Sequence, residues 1–255
     1  MDNFARYPSL AGRTVIVTGG ASGIGAAIVG HFAAQEAKVG FIDLDATAAQ
    51  SLLGSLGDAA RHCRFAAADL RDISALQAAI EDLRKALGGP ITVLVNNAAR
   101  DDRHAIDAVT PEYWDERMAT NLRHQFFAAQ AVKDDMIAAG GGSIVNLSSI
   151  SFMLGQGGMP VYLTAKSAVV GLTRALARDL GPHHIRVNAV MPGWIMTERQ
   201  IKLWLTPEAE AEMLKGQCLP EKLYPPDIAR MALWLAADDS RLVTAQNFVV
   251  DAGWT

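Results

Sequence analysis

The chain has 255 residues, half of them apolar and one fifth charged, which is enough to bury a large core in a single domain spanning 1–255. Its formal net charge of -4, with no run of Lys or Arg, argues against a nucleic-acid partner. Cys63 and Cys218 stand far apart, with no CxxC and no His cluster beside them, so no metal site is expected and a reducing compartment suits both thiols. Residues 1–10 carry Asp2 and Arg6 and no long apolar stretch. No later run reaches the roughly 18 apolar residues of a spanning helix, so a cytoplasmic protein without a membrane partner is expected.

Along the chain, short β-branched runs alternate with longer Ala- and Leu-rich amphipathic stretches, the pattern of βαβ units in a parallel sheet covered on both faces. Strands are expected at 14–18, 38–43, 64–67, 92–96, 143–148, 186–191 and 247–251. Helices are expected at 24–36, 46–56, 73–87, 111–138, 160–180 and 226–237, with Pro111 and Pro226 in first turns. The fold class is therefore α/β: a doubly wound, seven-stranded Rossmann sheet. The alternation falters at 194–224, which holds Trp194, Trp204 and Met213. An excursion after the sixth strand is where a lid over a site belongs.

The first strand runs into Thr18-Gly19-Gly20-Ala21-Ser22-Gly23-Ile24-Gly25 and then into a helical pattern. Glycines there permit a tight turn and close approach of backbone to a pyrophosphate, while the helix N-terminus offers N–H groups and the positive dipole end. Asp43 ends the second strand 24 residues beyond Gly19, so the context required of a dinucleotide site is complete. Its carboxylate suits ribose hydroxyls and repels a 2′-phosphate, and with Ser22 in the loop and Leu44 next in sequence no cation is placed to receive that phosphate; NAD is the expected cofactor. Asp45, just before Ala46, reads instead as a helix cap.

Tyr162 and Lys166 are four apart on a predicted helix, so both project from one face. An ammonium beside a phenol favours the phenolate, which makes Tyr162 a usable acid/base. Ser149, at the end of the fifth strand, lies 13 residues before Tyr162, room for a loop that brings the two together at the carboxyl edge of the sheet; Ser148 is its rival.

T-G-x-x-x-G-I-G, Asp43, Asn97-Ala98-Ala99, Ser149 and the Tyr162/Lys166 pair together resemble the short-chain dehydrogenase/reductase family over almost the whole chain. The resemblance implies a catalytic set of Asn121, Ser149, Tyr162 and Lys166, with Ser149 on the substrate oxygen and Tyr162 moving its proton. Lys166 would also hold the nicotinamide ribose, and Asn121 would kink its helix and hold a relay water. It further implies cofactor contacts from Gly19, Ser22, Gly23, Ile24, Gly25, Asp69, Leu70, Asn97, Ala98 and Ala99, the last standing where the family usually has Gly. Pro192, Gly193, Ile195 and Thr197 would clasp the carboxamide. Segments around Tyr7-Pro8, Asp101-Asp102-Arg103-His104, Tyr113-Trp114, Asn121-Leu122-Arg123-His124, Gln217-Cys218-Leu219 and Asp251-Ala252-Gly253-Trp254 are similar to bacterial D-xylose 1-dehydrogenases of this family.

That likeness implies oxidation of a pentose or 6-deoxyhexose to its lactone, with Ser151, Gln156 and Trp194 in the pocket. A dehydrogenase of a deoxy-keto sugar acid, a reductase of 3-oxoacyl thioesters and a non-catalytic NAD-responsive binding protein are the alternatives. A thioester reductase would prefer NADPH and a basic surface, and the intact catalytic set speaks against a sensor. The polar run 101–104 reads either as a sugar contact or as a solvated loop. His183 and His184 read as dipole partners at a helix end. Ala165, Ala168, Gly171 and Ala175 offer small residues for helix pairing, and a homotetramer is the family's expectation.

Overall fold

Seven short β-branched runs pair side by side in parallel: β1 (Thr14–Thr18), β2 (Lys38–Asp43), β3 (Cys63–Ala67), β4 (Ile91–Asn96), β5 (Gly142–Leu147), β6 (Ile185–Pro192) and β7 (Asn247–Val250), in the order β3-β2-β1-β4-β5-β6-β7. The computed structural model describes residues 4–255; Asp2, part of the amino-terminal reading above, lies outside them. Each strand falls where the sequence places it, with ends moved by one residue at most, because the ladder extends to whichever neighbour finds a partner.

Alternate residues of one strand feed two cores. Val15 and Val17 of β1 and Val93 and Val95 of β4 face one side, while Ile16 and Leu94 face the other. Both faces are apolar, which is why the strands read as continuous hydrophobic runs. On the first face lie α1 (Gly23–Ala34), α2 (Ala46–Ser55) and α9 (Pro225–Ala236); on the second α3 (Ile73–Leu87), α5 (His124–Ala138) and α6 (Pro160–Leu180). The order reverses between β1 and β4, and the crevice at such a switch point, outside the strands' carboxyl ends, is where these sheets bind ligands.

Two expectations need correction. The stretch 111–138 is not one helix: α4 (Pro111–Met118) passes through a π turn at Ala119–Arg123 before α5 begins. Asn121 sits in that turn, fully buried, and its Nδ2 takes the carbonyl of Arg117 at 3.0 Å. A side-chain donor to that carbonyl competes with the helix's own ladder, and the turn widens. Helix α9 starts one residue early because Pro225 and Pro226 both suit its first turn.

The excursion after β6 is two short helices, α7 (Glu198–Trp204) and α8 (Pro207–Gly216), capped by the hydroxyls of Thr197 and Thr206. Its base is pinned where Ile195 bridges Leu223 and Met196 N–H donates to the Leu223 carbonyl at 2.8 Å. Among the described residues no helix is long and apolar enough to cross a membrane.

Candidate active site

The loop after β1 is shaped by contacts that leave no room for side chains. Gly19 has φ +65°, and a Cβ there would lie 2.7 Å from Ala98 Cα; one on Gly25 would lie 1.9 Å from the Gly19 carbonyl oxygen. Asn97 locks the same turn, donating from Nδ2 to the carbonyls of Thr18 at 3.0 Å and Gly19 at 2.8 Å. Asp43 closes it from β2, accepting from Ala21 N–H at 2.9 Å and Asp45 N–H at 3.1 Å. Asp45 itself caps α2 through Ala48 N–H, as its position suggests. Helix α1 has no side-chain cap and no acidic residue in its first turn, so its N–H groups are left for an anion. A glycine cradle, an uncapped helix and a strand-end carboxylate fit the pyrophosphate and ribose of a dinucleotide.

Of the residues expected from sequence to act in catalysis, cofactor binding or the substrate pocket, all but Gly23 and Asn121 line one cavity of about 930 Å³ at this edge of the sheet. Asn121 lies behind it, with its Oδ1 accepting from Arg100 N–H at 2.7 Å. Thr197 caps α7 and packs against the phosphate loop, its Cγ2 lying 3.2 Å from where a Cβ on Gly23 would stand. Ile195 is held by the Leu223 bridge and Gly193 by the Val250 carbonyl at 2.9 Å. Asp69 does line the cavity, but its carboxylate is forked onto Arg71. That guanidinium, a cation the sequence reading did not count, is shared with Glu116 at 2.8 Å.

The rival serines are separated by their partners. Ser148 Oγ donates to the Lys166 carbonyl at 2.7 Å, and Lys166 Nζ donates to the Leu147 carbonyl at 2.8 Å, so the two stitch α6 to β5. Ser149 is left toward the cavity, its Oγ 2.7 Å from Ser151 Oγ. Beneath them Asn96, Asn146 and Thr173 form a buried hydrogen-bonded line across β4, β5 and α6. Buried networks of this kind fix relative positions of elements.

Lys166 Nζ stands 5.8 Å from the centre of the Tyr162 ring. The expectation that the ammonium depresses the phenol needs correction for this protein alone, since burial acts on both groups. It pushes Tyr162 above the ordinary phenol value, with the charge of Asp101 adding to the rise and Ser149 and Arg103 opposing it. It pushes Lys166 down to about 7. His124, wholly buried with Nε2 3.1 Å from the Ala98 carbonyl, is held down at about 4 by the same cause and by Lys166.

The opposite wall joins side chains singled out from the sequence, Asp101, Arg103, Trp194, Trp204 and Trp254, to Arg199 and Gln200, which sequence reasoning missed. Arg103 stacks over Trp204 at 5.1 Å, and Arg199 of α7 reaches Asp102 at 2.9 Å and Asp101 at 3.4 Å. Trp194 Nε1 donates to Gln200 Oε1 at 2.9 Å, and Gln200 Nε2 donates to Asp101 at 2.6 Å. Trp254 joins them from the end of the chain, against Gly216. Ser151 and Gln156 also line the cavity, whereas His183 and His184 do not; His184 is an exposed left-handed residue closing the turn after α6. The signals for this wall were the polar run 101–104 and the tryptophans of the 194–224 excursion, and no local pattern marked Arg199 or Gln200 as partners of Asp101.

A family model described as enoyl-(acyl carrier protein) reductase matches residues 19–255. The chain is 49% identical over 250 residues to a Rhizobium meliloti protein whose name assigns it galactose dehydrogenase activity, covering 98% of this chain and 97% of that one. It is 44% identical to a D-xylose 1-dehydrogenase of Caulobacter vibrioides, covering 98% of each. A solved structure described as a short-chain alcohol dehydrogenase from Sinorhizobium meliloti superposes with a TM-score of 0.91 at 30% identity, covering 97% of this chain and 98% of that one. Sequence, sheet order and site agree: the chain is an oxidoreductase and belongs to the short-chain dehydrogenase/reductase family.

Proposed function

We propose that this enzyme is an NAD-dependent aldose 1-dehydrogenase that oxidises the anomeric carbon of a pentose or related sugar such as D-xylose to the lactone. The observation that carries the reading is a single cavity with Ser149, Tyr162 and Lys166 on one wall and Asp101, Trp194 and Trp254 on the other. Relatives named for galactose and xylose, alike over nearly the whole chain, support the substrate class. Asp43, accepting backbone N–H groups at the end of β2, supports NAD over NADP, since Arg71 is already shared between two carboxylates.

In this reading Ser149 hydrogen-bonds the anomeric oxygen and Tyr162 removes its proton. Lys166, fixed by the Leu147 carbonyl, lies behind the phenol and passes the proton onward. The dinucleotide, when bound with its pyrophosphate at the glycine loop, would supply the two-electron acceptor in its nicotinamide ring, whose positive charge favours the phenolate that burial disfavours. Asn121 organises this region through Arg117 and Arg100 and holds the relay water. The oxidised carbon already carries two oxygens, so the product is an ester. Helices α7 and α8 serve as the lid. The active form is a homotetramer, with the exposed Gly171 and Ala175 of α6 at an interface; Ala165, buried within the chain, plays no part in it.

The test is a spectrophotometric screen of NAD⁺ and NADP⁺ reduction against aldoses, sugar acids and 3-hydroxyacyl thioesters. Reduction of NAD⁺ by an aldose, with a product that hydroxylamine traps as a lactone, is the expected result. The family model's own description favours an acyl-thioester reductase as the second reading. Activity confined to thioesters would establish that one instead.

A further inference from the structure

We propose that Asp101 determines substrate specificity: its carboxylate accepts hydrogen bonds from two neighbouring hydroxyls of the sugar ring, away from the carbon being oxidised. This rests on the aldose reading and narrows it to a neutral polyol bearing a vicinal diol.

Asp101 belongs to the loop after β4, and its side chain is only 18% exposed. It lines the same cavity as Ser149 and Tyr162 and is near enough for its charge to bear on both Tyr162 and Lys166. It is held from one side only. Gln200 Nε2 donates to Oδ2 at 2.6 Å and is itself fixed by the Trp194 indole, while Arg199 Nε makes a long 3.4 Å contact to Oδ1. An ionised carboxylate has about four acceptor positions, so two remain.

The neighbouring carboxylate shows the contrast. Asp102 is surrounded by Arg199 at 2.9 Å, Arg100 at 2.8 Å and Arg117 at 2.7 Å, and its charge is answered within the protein. Arg199 is thereby turned mainly toward Asp102. Asp101 keeps a neutral amide and one distant guanidinium, and a part-buried carboxylate so placed is stabilised by further donors. A diol supplies two, in the spacing that the two carboxylate oxygens match. The same negative charge repels an aldonate or keto-acid carboxylate, and an acyl thioester offers no diol. Trp194 and Trp254 line the cavity too, giving the C–H face of a ring an apolar surface.

The experiment is calorimetric titration of the enzyme–NADH complex, which reads binding without turnover. D-xylose and D-galactose, their mono-deoxy analogues and the matching aldonates are the ligands, and the enzymes are wild type, Asp101→Ala, Asp101→Asn and Arg199→Ala. Wild type is expected to lose roughly tenfold or more in affinity when a contacted hydroxyl is removed, as charged hydrogen bonds do. In Asp101→Ala the preference for the parent sugar over that analogue collapses to near one, and rejection of the aldonate weakens. Asp101→Asn restores part of the first and none of the second. Arg199→Ala, which loosens α7 but leaves the carboxylate, keeps the discrimination. Undiminished discrimination in Asp101→Ala overturns the proposal, as does a wild type that binds no aldose better than its deoxy forms. Turnover measured in parallel separates the two readings. Binding that depends on Asp101 without oxidation refutes only the dehydrogenase assignment, while oxidation with discrimination independent of Asp101 refutes only this one.

Discussion

The wall of the cavity built by β1, α1 and β2 is held by backbone contacts that one added carbon would disrupt, whereas the wall built by residues 101–104 and α7 is held by ion pairs between long side chains. On the first side a Cβ on Gly25 would meet the Gly19 carbonyl at 1.9 Å. On the second, Arg199 is 43% exposed and reaches two carboxylates at 3.4 and 2.9 Å. Rigid backbone suits a cofactor whose shape is invariant, and exposed pairs, each contributing about 0–1 kcal/mol, suit a surface that must be remade for each substrate. Tyr162 lies where the two walls meet, and its removal should give the largest effect. Tyr162→Phe is expected to lower turnover by about 10²–10⁴-fold while NAD affinity stays near wild type. The rate of the wild type should rise with pH through one ionisation that the variant lacks; full turnover in Tyr162→Phe would refute its role as the base.

The cofactor wall can be broken by a methyl group. Gly25→Ala must push apart the Gly19 carbonyl and the Asn97 amide, 2.6 Å from the new carbon. Overpacking of this kind typically costs about 1–3 kcal/mol, and here it also displaces the N–H groups meant for the pyrophosphate. A loss of NAD affinity of at least about tenfold by fluorescence titration, with a lowered melting temperature, is expected. Unchanged affinity would show that the loop has slack the contacts deny.

The same contrast governs what the sequence discloses. Glycine spacing, Asp43 and the Tyr162/Lys166 interval are local patterns fixed by backbone geometry, so the strands, the phosphate loop and the pair on α6 are all legible. The split at Ala119–Arg123 is not, because it depends on Asn121 reaching back to Arg117, a choice between side-chain and backbone donors that periodicity does not encode. Ser148 and Ser149 are adjacent in sequence; spacing favours Ser149, but the physical reason, the Lys166 carbonyl on a distant helix that occupies Ser148, is not written there. Pairings such as Gln200 with Asp101, 99 residues apart, arise from the closing of the fold and leave no mark in either segment.

Two smaller changes sharpen the comparison, one on each wall. Asp43→Ala removes the charge that disfavours a 2′-phosphate, and the ratio of kcat/KM for NAD⁺ over NADP⁺ should fall by about tenfold, roughly 1.4 kcal/mol. Equal use of both cofactors by the wild type would refute the reading of this strand end. Arg199→Ala breaks only exposed pairs, so the sugar KM should rise a few-fold, less than about 1 kcal/mol, and NAD affinity should not move. A large change in NAD affinity would mean the two walls are coupled through the Arg117–Asp102 pair.

The last effect concerns stability, at the junction of the walls. Burial lowers Lys166 from its ordinary 10.5 to about 7, so between those values the unfolded chain binds a proton that the folded protein does not. Stability then rises with pH across that window: the cost of burying the amine is complete below pH 7 and is lost as pH climbs toward 10.5. Tyr162, pushed upward, stays protonated in the folded protein and opposes the trend only from about pH 10, where the unfolded phenol ionises, a contribution shared by wild type and the variant below. Lys166→Met keeps the stem's packing and removes the titrating group. It also loses the hydrogen bond to the Leu147 carbonyl, which a neutral amine can still make, so that loss shifts the variant by an amount independent of pH. The melting temperature of the variant minus that of the wild type should therefore be greatest at or below pH 7 and decline steadily as pH approaches 10. A difference that stays flat from pH 6 to 10 would mean that Lys166 keeps its charge in the folded protein, and that its hydrogen bond to Leu147 is a charged one.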